Sequence, residues 1–274
     1  MSVNSVSLSA ATLQNLQSLQ TTANLLNSVE NQLSSGKRVN SAADGASAYF
    51  SSQGFLTRSN LLSNLQNNLS TSLQQVSSVS LSISDIASTV TQLTGLISSA
   101  LASSSTTVRA GYASQFNALM SQLDQMVNDS VFNGTNLLNS TSTSLVVYFD
   151  ESSTTSLTIS GVNITSAGLG ITAPVGGFST TTLINTTNSL LTTALNTLQT
   201  DAATYGGNVT LIQTRQNFTT NLINSLQTAS NNLVLADTNL EGANLIALQA
   251  QDQLGISALG ISGQLAQAIL HILP

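Results

Sequence analysis

The chain has 274 residues and a formal net charge of −6, with five Lys and Arg, eleven Asp and Glu, and no cysteine. Only Lys37 and Arg38 are adjacent cations, so no patch exists to neutralise phosphates and nucleic acid is excluded; the lack of thiols excludes disulfides, zinc–thiolate sites and cysteine nucleophiles. Charged residues are 6% of the chain, against about a quarter in ordinary soluble proteins, and Ser, Thr, Asn and Gln carry the polar role, which leaves little charge repulsion to oppose self-association.

The opening MSVNSVSLSAATLQNLQ holds no basic residue, the first being Lys37, so no secretory signal peptide is expected. A first helical seam follows at Leu16, Leu19, Ala23, Leu26, Val29 (or Glu30) and Leu33. A longer one runs through Leu62, Leu65, Leu69, Leu73, Val76, Val79, Ile83, Ile86, Val90, Leu93, Ile97 and Ala100. Alternating steps of three and four keep such a row facing one partner along a coiled coil. Phe116, Leu119, Leu123 and Met126-Val127 predict another helix returning after Ser103–Thr107. Asn133-Gly134-Thr135 matches a glycosylation sequon, but Asn-Gly is also a turn former and reads as a turn here.

The middle departs from helix. SLVVYF (144–149) and TSLTIS (155–160) are β-branched and aromatic, and they flank an acidic turn at Asp150-Glu151, which is a hairpin pattern. Gly161, Gly168, Gly170, Pro174, Gly176 and Gly177 then punctuate a loop, so a β and loop insert of about forty residues is expected. Its Ser and Thr are candidate O-glycosylation targets. Thr182 to Gln199 returns to helix, and Gly206-Gly207 mark a place for a break or bend.

The last seam is the clearest. Leu222, Leu226, Ala229, Leu233, Ala236, Leu240, Ala243, Ala247, Ala250, Leu254, Ala258, Ile261, Leu265, Ala268 and Ile272 predict one helix of over fifty residues, roughly 75 Å long. Leu235, Leu245, Leu248, Ile256, Leu259 and Ile269 lie off that seam, so the helix is apolar on more than one face and needs cover on each. The fold class expected is mainly α: long antiparallel coiled-coil helices from both chain ends around a small central β-hairpin insert. Too little chain remains to cover the end helices, so copies must cover one another. Self-assembly is assigned to Leu16, Leu19, Ala23, Leu26 and Leu33 at one end and to Leu240 through Ile272 at the other.

No catalytic, cofactor or metal site is expected. The lone His271 reads as a partly buried helix residue, and Asp124 with Asp129 and Asp237 with Glu241 read as solvated or interfacial charges, not as a facing pair in a cleft. Stretch 254–273 is apolar but carries Gln264, Gln267 and His271, so membrane insertion is not expected. Gly255, Gly260 and Gly263 are small residues suited to close helix approach. Proline occurs only at Pro174 and Pro274, which suits long helices and a chain that travels unfolded and refolds promptly. The basic residues are expected to pair with carboxylates, Arg215 across a subunit contact.

LSSGKRVNSAADGASAYFSSQGF (33–55) resembles the N-terminal signature of the bacterial flagellins, at Leu33, Ser34, Ser35, Gly36, Arg38, Asn40, Ser41, Ala42 and Asp44. VFNGTNLL (131–138) resembles the family's turn at Phe132, Asn133 and Gly134, followed by paired leucines. Residues 231–273 look like the terminal domain of proteobacterial flagellins with short variable regions, with Asp237, Glu241, Leu248, Gln249, Gln253, Ala258 and Leu270 at similar spacing. The resemblance implies a subunit of an extracellular helical filament used for swimming. It further implies inner-tube segments at 1–42 and 237–274, a helical shell at 43–140 and 183–236, and an outward variable insert at 141–182. Implied partners are other copies of the chain, the flagellar export machinery with its chaperone, and the filament cap and junction proteins. TVTQLTGLISSA (89–100) lacks the arginines that innate immune receptors read in many relatives, so that recognition is not expected, and the insert has no histidine for the metalloprotease motif of others. A hook–filament junction protein is the alternative within the same organelle. A surface adhesin or glycan binder is the alternative outside it, with only Tyr148, Phe149 and Phe178 as an aromatic platform.

Overall fold

The computed structural model describes residues 10–272, and the side chains of Ala11, Val175, Ala266 and residues 269–272 fall outside that description. The expectations for His271, for Ile272 and for the first nine residues therefore lie outside the described residues. The elements in chain order are α1 (Ala10–Ser35), α2 (Ala42–Ala102), α3 (Thr106–Asp129), β1 (Val131–Phe132), β2 (Thr135–Asn136), β3 (Ser144–Tyr148), β4 (Ser156–Ser160), a 3-10 turn (Val175–Phe178), α4 (Thr181–Val234) and α5 (Thr238–Ile272). The chain is mainly helical, as its spacing predicts, and forms two compact units: residues 59–224, and residues 1–58 with 225–274.

In the 59–224 unit, the α2 row from Leu62 to Ala100 is buried at every member but Leu73, which is half-buried. Phe116, Leu123 and Val127 of α3 and Ile184, Leu191, Ala194, Leu198, Tyr205 and Ile212 of α4 are likewise buried. Gln66 donates to Thr220 and Gln216 donates to Ser70, each at 2.9 Å, so α2 and α4 run antiparallel. Burial of each Leu, Ile or Val contributes about 1.5–3 kcal/mol, which is why this row fixes the helices. α4 continues through Gly206-Gly207 without the break that the glycines suggested. Two glycines cost about 2 kcal/mol of helix propensity, and the buried Tyr205 and Ile212 on either side outweigh that.

The hydroxyls on the helices turn inward on their own backbone. Thr192, Thr193, Thr197, Thr200 and Thr204 each donate to the carbonyl four residues earlier, at 2.9–3.1 Å. A satisfied hydroxyl presents less polar surface to water than a charge would. The charge-poor composition therefore yields helix faces that are cheap to dehydrate.

The turn from α3 into the insert follows local chemistry. Asn133 (φ 49) and Gly134 (φ 77) form the two-residue turn of the β1–β2 hairpin, which needs positive φ at both positions. Asn136 then donates to Val127 O at 2.8 Å and accepts from Leu138 N at 2.8 Å, closing the end of α3. β3 and β4 pair in register from Ser144–Ser160 to Tyr148–Ser156, with Val147 and Ile159 on the buried face. The Asp150 carboxylate closes the loop by accepting from Thr155 N at 2.8 Å and from the Thr154 hydroxyl.

Several charged residues make contacts within the chain that spacing did not predict. Asp124 is half-buried and accepts from Ser166 N at 2.7 Å and Ser166 Oγ at 2.8 Å, holding the loop after β4. Arg109 donates to Ala100 O and Ser103 O instead of a carboxylate. Arg215 lies over the Phe149 ring of its own chain, 4.9 Å from the centroid. Helix-end carbonyls and an aromatic face are both favourable partners for a cation.

Candidate assembly surface

In the unit formed by the two chain ends, the signature residues build a junction. Gly36 adopts φ +66 just past α1, the left-handed conformation that ends helices and that glycine takes without strain. Ser35 Oγ donates to Asn31 O at 2.7 Å and accepts from Asn40 Nδ2 at 2.8 Å. Ser41 precedes α2, and Asp44 three residues on reaches back to accept from Asn40 N, Ser41 N and Ser41 Oγ at 2.9–3.0 Å. This is the carboxylate half of a capping box, while Asp44 N donates to the Ser41 backbone carbonyl at 3.2 Å. The Ser41 backbone N–H first, and the Ser41 hydroxyl next, hold the Asp44 carboxyl below the usual carboxylate range.

The same turn ends α4. Arg38 N and Val39 N donate to Val234 O at 2.8 and 3.2 Å, Arg38 Nη2 donates to Leu233 O at 3.1 Å, and Ala236 N donates to Gly36 O at 3.0 Å. Lys37 and Leu235 form an antiparallel bridge. The single C-terminal helix expected from the sequence is therefore two helices, broken at residues 235–237. Asp237 restarts the second by accepting from Asn239 N and Leu240 N at 3.0 and 3.2 Å. Backbone groups committed to residues two hundred positions away cannot also serve the helix, so the seam's rhythm passes over a break it cannot reveal.

From this junction α1 and α5 run back antiparallel. Far from it, a Cβ on Gly255 would sit only 3.0 Å from Leu19 Cγ, so the helices approach closely there. The buried and half-buried row of α1 is Thr12, Asn15, Leu19, Thr22, Leu26, Val29 and Leu33. That of α5 is Glu241, Leu245, Leu248, Asp252, Gly255, Leu259 and Ser262. Extending the Leu19–Gly255 approach along two antiparallel helices of equal rise puts Thr22 in register with Asp252, Leu26 with Leu248, Val29 with Leu245 and Leu33 with Glu241.

The assembly residues named from the sequence are divided by this pairing. Leu19, Leu26 and Leu33 belong to the paired row, whereas Leu16 is 48% exposed and Ala23 is exposed. On α5 the named row lies on the outside. Leu240, Leu254, Ile261 and Leu265 are 58–71% exposed, Ala243, Ala247, Ala250 and Ala268 are exposed, and Ala258 is half-buried. The residues that meet α1 include Leu245, Leu248 and Leu259, which the spacing had put off the seam. Two interleaved rows of α5 share the three–four rhythm, and the α1 row through Thr22 and Val29 was the available signal for the inner one. Of the acidic pair, Asp237 is an exposed cap and Glu241 is buried, its Oε2 accepting from Asn244 at 3.2 Å.

A model of the bacterial flagellin N-terminal helical region matches residues 6–143. Flagellin FljO of Caulobacter vibrioides is 30% identical over 277 residues, covering 99% of both chains. This chain belongs to the bacterial flagellin family. Flagellin of Brucella melitensis is 28% identical, covering 98% of both chains. The crystal structure of Bacillus cereus flagellin aligns with 56% of this chain and 88% of its own, at 16% identity and a TM-score of 0.49. As a flagellin, the chain is a structural subunit of the extracellular bacterial flagellar filament and not an enzyme. The full-length match favours this over the junction-protein and adhesin readings. Among the described residues, no helix is long and apolar enough to cross a membrane.

Proposed function

We propose that this flagellin polymerises by covering the outer row of α5 (Leu240, Ala243, Ala247, Ala250, Leu254, Ile261, Leu265, Ala268) with the terminal helices of neighbouring copies. The observation that carries the reading is that this row keeps a coiled-coil rhythm and still faces solvent after α1 and α5 have packed. Leu240, Leu254, Ile261 and Leu265 are still 58–71% exposed, and burying that remainder offers roughly 4–7 kcal/mol per copy before association costs are subtracted. Alanine between them lets a second helix come close. Leu16 and Ala23 extend the contact on α1. In this arrangement residues 1–42 and 237–274 line an inner tube, 43–140 and 183–236 surround it, and the 141–182 insert points outward.

The export machinery with a chaperone for the C-terminal region, and the filament cap and junction proteins, are the further partners that family membership supports. The test is removal of residues 240–274. The truncated chain is expected to stay soluble and partly helical and to give no filaments by negative-stain electron microscopy after salting-out. Filaments of normal length from the truncated chain would refute the reading.

A further inference from the structure

We propose that Asp252 accepts a cation from a neighbouring copy, and that this cation is Lys37. The inference rests on the polymerising reading above and adds a charge contact to it. Asp252 is half-buried on the α1-facing row of α5, where Leu19, Ala23 and Leu26 border it together with Gln20, Gln249 and Gln253. A half-buried carboxylate that no protein group meets gains from a cation brought to it. Thr22, opposite, does not serve, because its hydroxyl donates to Ser18 O at 3.0 Å. Among the described residues no hydrogen bond or ion pair reaches the Asp252 carboxylate. Two open cavities of about 340 and 440 Å³ meet at Asp252, one bordered by Leu16 and Leu19, the other by Leu26 and Gln253. Both have room for a long incoming side chain.

The chain has five Lys and Arg. Arg38 and Arg109 donate to helix-end carbonyls, Arg215 lies over Phe149, and Arg58 has a partner of its own. Lys37 is exposed, and among the described residues its ammonium is the one cation with no partner. It cannot reach Asp252 of its own chain. Ala23, which borders the same cavity as Asp252, lies fourteen residues up α1 from Lys37, about 21 Å along the axis. The pair therefore forms only between copies, head to tail, which is the contact type that builds open helical arrays.

The full-length chain with Asp252→Lys, with Lys37→Asp, and with both substitutions is polymerised by salting-out, with helix content checked by circular dichroism. Each single variant is expected to lower pelleted polymer about tenfold or more, and the double variant to recover to within about threefold of the parent. The native chain has no cysteine, so Lys37→Cys combined with Asp252→Cys supplies an independent readout. Oxidised polymer of that variant is expected to run as a reductant-sensitive ladder on denaturing gels. A folded double charge variant no better than the singles, or polymer without a ladder, overturns the proposal while leaving the filament reading standing. A parent chain that never polymerises removes the filament reading and this contact with it.

Discussion

Tyr205 joins three parts of the 59–224 unit through one buried phenol, and alkaline titration measures what that is worth. The side chain is 1% exposed, and its hydroxyl shares its proton between Ser160 O at 2.9 Å and Leu137 O at 3.3 Å. Burial first, and the charge of Asp201 one helical turn away second, push its pKa from 10.0 up to about 12. Between those values the unfolded chain has lost this proton and the folded chain keeps it. The folded state then binds more protons, so stability must fall as pH rises. The contribution is whole below about pH 10, is reduced by about 1.4 kcal/mol at about pH 11, and is exhausted above about pH 12. For a unit of this size that corresponds to about 3–6 °C in melting temperature at about pH 11. Melts of the monomeric chain followed by circular dichroism, with phenolate absorbance recorded in parallel, give both numbers. Tyr205→Phe serves as the reference. It costs about 1–3 kcal/mol at neutral pH, because two buried carbonyls lose their donor, and it removes this share of the alkaline slope. A difference titration placing the phenol near 10, or a Tyr205→Phe chain losing stability as steeply as the parent, would refute the reasoning.

A methyl group at Gly161 would lie 2.5 Å from Ser140 O, 3.1 Å from Thr143 O and 3.2 Å from Leu137 O. Gly161→Ala should therefore destabilise the monomer by about 3 kcal/mol, and a melting shift under about 2 °C would contradict this. Asp44→Asn should weaken the start of α2 at neutral pH. In the parent that contribution is present above the ordinary carboxylate range and is lost as pH falls through the lowered Asp44 value; amide exchange at Asn40 and Ser41 checks it, and identical acid profiles would count against it. The two faces of α5 should respond differently to one substitution. Leu254→Asp is expected to change monomer stability by no more than about 0.5 kcal/mol yet to stop polymerisation. Leu248→Asp should cost about 2 kcal/mol or more by charging the paired row and should raise amide exchange in α1. Equal effects of the two on the monomer would mean that α5 presents a different face to α1.

Local chemistry alone determined much of this protein. The α2 row was legible because its large apolar residues recur at helical spacing over a dozen positions, and they are buried whichever helix covers them. Asn133-Gly134 and the strands around Asp150 were legible because turn conformation and side-chain alternation are set within a few residues. The signature residues were legible as a pattern, but their work as a junction was not, because Arg38 N, Val39 N and Ala236 N are satisfied by the other end of the chain. That long-range exchange breaks the C-terminal helix at residues 235–237, where the periodicity runs on undisturbed. Only the tertiary structure decided which row of α5 meets α1, since a helix carrying two interleaved apolar rows does not itself say which is inside. The choice belongs to the partner: Thr22 and Val29 on α1, and the close approach at Gly255, turn Leu248 inward and leave Leu254 outside.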